Sequence, residues 1–133
     1  MNSKAVLSQT EVSQILAAAR DEAQANQWAV SIAIVDDGGH PLAFERLDGA
    51  SPASAYIATE KARTSALGRR ESRLYEEMVN GGRTAFLSAP LLICLEGAVP
   101  IIVDGQVVGA VGVSGVKSEQ DAQVARRGAQ SLG

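Results

Sequence analysis

The chain has 133 residues, of which 46% are hydrophobic and 20% charged, with a formal net charge of −3 and a pI near 5.1. These values suit one domain over residues 1–133 and exclude a nucleic-acid or anionic-membrane surface, either of which needs a basic excess. The one cysteine, Cys94, excludes an internal disulfide, and no apolar run approaches the roughly 18–20 residues that span a bilayer.

The first twenty residues mix polar and apolar side chains and hold no signal-peptide core, so a cytoplasmic location is expected. Ser8-Gln-Thr-Glu11 has the form of a capping box, and Val12, Ile15, Leu16, Ala19 and Ala23 follow at helical spacing, which predicts a helix over 9–26. Trp28 to Val35 predicts a buried strand. Asp36-Asp37-Gly38-Gly39 predicts a hairpin turn, and Pro41 to Leu47 the returning strand, with Pro41 at its start because it cannot donate to the ladder. Ser51-Pro52 opens a second helix running to Leu67, with Gly68 placed to stop it. A short helix is expected over 72–79, then strands over 91–95, 99–103 and 106–114, the last two joined by Asp104-Gly105. Ser118-Glu-Gln-Asp121 opens the last helix. The order is α-β-β-α-α-β-β-β-α, an α+β layered domain with an antiparallel sheet of about five strands.

Aromatic residues make up only 4% of the chain, so the core must be built from small aliphatic side chains that bury less area each. Association between subunits would add to that burial, and a homo-oligomer is expected.

Several residues invite a chemical role. Gly109-Ala-Val-Gly112-Val-Ser-Gly115 lacks the spacing of a dinucleotide or Walker loop and reads as a strand whose glycines let another backbone or a flat ligand come close. His40 is the only histidine, so any imidazole chemistry, including axial ligation of a metal, falls to it. Arg46 and Asp48 share a strand face at the exit to a loop, where functional groups gather or where a plain surface ion pair forms. Lys61 stands among Ile57, Ala58, Ala62 and Ser65, either partly buried or snorkelling to the surface. Backbone N–H groups before the last helix, with Lys117 beside them, could hold a carboxylate or simply form a cap. Cys94 reads as a core thiol, and Arg69, Arg70 and Arg73 as a solvated helix end.

The run Val35-Asp36-x-Gly38-Gly39-x-Pro41-Leu42-x-Phe44-x-Arg46-x-Asp48-Gly49-Ala50, with Lys61-Ala62-Arg63-Thr64, Val99-Pro100-Ile101, Gly109 to Gly115 and Asp121, resembles the GlcG/HbpS-like family, which is related to the C-terminal domain of PduO-type proteins. The resemblance covers nearly the whole chain. It implies a profilin-like α-β-α domain, assembly into dimers and larger oligomers, and, for some members, haem binding, haem degradation or iron binding; others sit in catabolic operons. This chain departs from the family at Leu47, where methionine is frequent, and at Ala98, where a second glycine is usual.

Two functions are expected from this reading. The first is binding of haem or another flat acidic small molecule, with Arg46 and Lys61 on its carboxylates, His40 as axial ligand to iron, and Gly112 and Gly115 at the approach. The second is an enzyme of a catabolic operon acting on a small carboxylated metabolite, with Lys61 or Asp48 as acid/base and Arg46 holding the substrate. A purely structural oligomer is the blandest alternative.

Overall fold

The computed structural model describes residues 1–132. Its first helix, α1 (Gln9–Ala25), starts at the capping box the sequence announces: Ser8 Oγ accepts the Glu11 N–H, and Glu11 Oε1 accepts the Ser8 N–H at 2.9 Å. Strands β1 (Ser31–Asp36) and β2 (Pro41–Arg46) form the first hairpin. Helix α2 (Pro52–Gly68) follows, capped by Ser51, then α3 (Arg73–Asn80) and a short 3-10 turn, Thr84–Ser88. Strands β3 (Ala98–Val103) and β4 (Gln106–Ser114) make the second hairpin, and α4 (Ser118–Ala129) closes the chain.

The sheet is antiparallel throughout, in the order β2-β1-β4-β3. Alternation along its strands gives it two different faces. Ile32, Ile34, Ile101, Val111 and Val113 point to the side covered by α1 and α4, where they form the main core with Ile15, Ala19 and Val124. Ala33, Val35 and Ala110 point to the other side and meet Ala58, Ala62 and Ala66 of α2. Small residues on both partners bring α2 very close: a Cβ on Gly112 would stand 2.2 Å from the Ala58 carbonyl oxygen and 2.5 Å from the Ala62 nitrogen. The result is an α-β-α stack with one helix on one face and two on the other.

Three expectations need correction. The sheet has four strands, because residues 91–95 form no strand. Pro90 precedes the run, and Leu91 takes a left-handed backbone (φ 62°) incompatible with an extended start. The Ile93 N–H donates to Thr64 Oγ1 of α2 at 2.8 Å, so the segment is tied to a helix rather than to a sheet edge. Cys94 is accordingly half-buried outside the two core clusters, its Sγ toward the Phe86 carbonyl. Nor does Gly68 end α2 by adopting a left-handed conformation; Arg69 does so, at φ 57°. Gly68 serves a different need, since a Cβ there would stand 2.2 Å from the Tyr75 hydroxyl.

Candidate ligand site

The helical spacing of α2 turns Lys61 toward the sheet, where its side chain is 4% exposed. Nζ donates to the Val113 carbonyl at 3.0 Å and to Asp121 Oδ2 at 3.2 Å. Asp121 is equally buried, and its Oδ1 accepts the Val116 N–H at 3.1 Å. The carboxylate expected at the start of the last helix is therefore the chain's own. Burial pushes the Asp121 carboxyl above the ordinary range, an effect the Lys61 ammonium and the backbone N–H groups only partly offset. Gly97 roofs the pair: at φ 139°, a Cβ on it would stand 2.6 Å from Lys61 Nζ. The positive φ falls on Gly97, while Ala98 begins β3 and exchanges hydrogen bonds with Ser72. Lys61 thus faces β4 and α4, not a cleft.

The other predicted site residues are scattered. Gly112 lies under α2, and a Cβ on Gly115 would stand 2.5 Å from the Ala29 carbonyl oxygen, so both admit backbone rather than ligand. His40 lies at the β1–β2 turn with its side chain 77% exposed and Nδ1 3.1 Å from the Asp36 carboxylate. Partial burial works against the Asp36 charge, but N–H groups of His40 and Gly38 and the His40 ring outweigh it and hold that carboxyl below the usual range. Asp36 is five residues along β1 from Ser31, the partner of Arg46, which separates His40 from Arg46 by about 16 Å of strand.

Arg46 and Asp48 do come together, not as an ion pair but along one cleft. That cleft, of 490 Å³, lies where the end of β2 meets the end of α1 and is lined by Gln24, Gln27, Trp28, Ala29 and Glu45 to Asp48. Neither Arg46 nor Asp48 forms an ion pair among the described residues, whereas neighbouring Glu45 is held by Arg20, Nη2 to Oε2 at 3.0 Å. On the α2 side of the same strand, Leu42 and Phe44 are 42% and 47% exposed. Phe44 faces Ala55, Tyr56, Thr59 and Glu60 across a groove of 280 Å³. Tyr56 is 78% exposed. An apolar strip along an edge strand, ending in an unpaired guanidinium, suits a flat molecule with an acidic rim.

The sequence reading missed Trp28, Phe44 and Tyr56. Phe44 alternates with Leu42 and Arg46 along β2, and Tyr56 lies four residues before Glu60 on α2; those periodicities were the available signal.

The family model described as "Haem degrading protein HbpS-like" matches residues 7–130. The chain belongs to the HbpS-like family. Protein GlcG of Escherichia coli strain K12 is 63% identical to it over 114 residues, covering 86% of this chain and 85% of that protein. A crystal structure of a double mutant of Streptomyces reticuli HbpS superposes with a TM-score of 0.90 at 30% identity, covering all of this chain and 91% of the other. The structure of a PduOC:heme complex superposes with a TM-score of 0.85 at 26% identity, covering 96% and 95% of the two chains. Among the described residues of this HbpS-like chain, no helix is long and apolar enough to cross a membrane, and no three His, Cys, Asp or Glu side chains cluster to hold a metal ion.

Proposed function

We propose that this HbpS-like protein binds a flat acidic ligand of the haem type along the outer side of β2. Family membership and the haem complex of a structural relative support the ligand class. The observation that carries the location is the strip of Leu42, Phe44 and Tyr56 running to Arg46, which has no ion pair among the described residues, beside Trp28. The apolar side chains fit the face of a porphyrin, and the guanidinium fits a propionate. Lys61, Asp121, Gly112 and Gly115 act as framework in this reading. With the Lys61 ammonium held by Asp121 and Val113, the acid/base enzyme loses Lys61 and keeps only Asp48, which lines the cleft beside Arg46.

Trp28 is the only tryptophan, so its fluorescence reports on the cleft it lines. Haem should quench it saturably. Arg46→Ala should weaken that binding by about 1.5 kcal/mol, or roughly tenfold, as the loss of a charge-assisted hydrogen bond. Absence of saturable quenching in the wild type would sink the proposal. The homo-oligomer belongs to the same reading: Leu87, Leu91 and Leu95 leave apolar surface between α3 and β3 that a subunit contact would cover. Sedimentation velocity measures that directly, and a monomer at all concentrations would refute it.

A further inference from the structure

We infer that Tyr56 supplies the protein ligand to the iron of a haem held on the β2–α2 face; the inference rests on the haem reading above. Haem iron is held by histidine, cysteine, methionine or tyrosine, and the chain has one His, one Cys, two Met and two Tyr.

Five of these six are badly placed. The His40 ring is bonded to Asp36 at the far end of the hairpin from Arg46, in a polar setting where Lys4 also pairs with Asp37. Cys94 is half-buried against the Phe86 carbonyl. Met1 lies on the exposed segment before α1, and Met78 is half-buried in α3. Tyr75 is buried against Phe86, beneath the Arg70 guanidinium and over Gly68.

Tyr56 differs in each respect. It stands 78% exposed, and it borders the groove whose other wall is Phe44. Arg46 lies two residues beyond Phe44, on the same side of the strand. One face of the molecule thus offers an iron ligand, an apolar wall and an acid partner. Glu60 lines the same groove one helical turn from Tyr56. On binding ferric iron the phenol would give up its proton to solvent, and the phenolate oxygen would form the bond to the metal.

The test titrates ferric haem and metal-free protoporphyrin IX separately into the wild type, Tyr56→Phe and His40→Ala, following the visible spectrum and Trp28 quenching. The wild type should show the charge-transfer band of a phenolate-ligated ferric haem. Tyr56→Phe should lose that band and bind haem about tenfold more weakly, as for one lost contact, while its affinity for the metal-free porphyrin stays at the wild-type value. His40→Ala should match the wild type with both probes. An unchanged haem spectrum in Tyr56→Phe, or its loss in His40→Ala, overturns the assignment to Tyr56 and leaves haem binding standing. A Tyr56→Phe protein that dissociates into smaller species with its haem spectrum unchanged also overturns it, marking Tyr56 as a subunit contact. If neither porphyrin binds the wild type, the haem reading itself falls.

Discussion

Lys61 and Asp121 lie 60 positions apart in the chain yet share one hydrogen bond in a space closed to water. Removing either partner leaves the other charge without compensation. Lys61→Ala or Asp121→Ala alone should therefore cost about 3–5 kcal/mol in urea unfolding, whereas Lys61→Met with Asp121→Leu should cost far less than the two singles together. Because the folded Asp121 carboxyl is raised, the unfolded chain releases this proton at lower pH than the fold does. Its contribution to stability is highest in acid and declines as pH rises from the ordinary aspartate range through the raised value. Ser65 offers the opposite experiment. Its Oγ is buried without a hydrogen-bond partner among the described residues. Ser65→Ala should raise stability by about 0.5–1 kcal/mol, through relief of desolvation and better helix propensity.

Among the elements, the β1–β2 turn and the contact of α2 with the sheet make separate predictions. In the turn, Asp36 binds two backbone N–H groups and the His40 ring, and its carboxyl is held low. Its contribution is complete above the ordinary aspartate range and disappears as pH falls through the lower folded value. Asp36→Asn should flatten the acid limb of a stability–pH profile, and an unaltered limb would show that other carboxylates dominate it. Beneath α2, Gly112→Ala should push the helix off the sheet and cost at least about 1–3 kcal/mol, read as a lowered urea midpoint. These elements were legible in the sequence because their signals are local: a capping box at Ser8, glycines in the first turn, Asp104-Gly105 in the second. The false strand over 91–95 has an equally apolar local signal. Its conformation goes with the left-handed Leu91 and the bond from Ile93 to Thr64, the latter a tertiary contact that local composition does not carry.

For the molecule as a whole, alternation and turn chemistry were enough to foresee a layered α+β domain, and the strand exit marked Arg46 and Asp48. The partners of Lys61 were hidden, since spacing shows which face of a helix a side chain takes but not what lies opposite. Trp28, Phe44 and Tyr56 were hidden for a related reason. An aromatic residue in a small chain is ordinarily core, and only the assembled fold leaves Phe44 and Tyr56 exposed and Trp28 half-buried between the main core and the cleft. The close seating of α2 has a bearing on that surface. Ala58, Ala62 and Ala66 meet Ala33, Val35, Ala110 and Gly112, of which only Val35 has a rotamer to exchange, so the helix rests on the sheet nearly backbone to backbone. Such a contact leaves the helix little alternative packing, and the backbone spacing between α2 at Tyr56 and β2 at Phe44 is set before any ligand arrives. The backbone of both groove walls is preorganised, so a rigid planar guest would have only the exposed Tyr56 and Phe44 side chains to order.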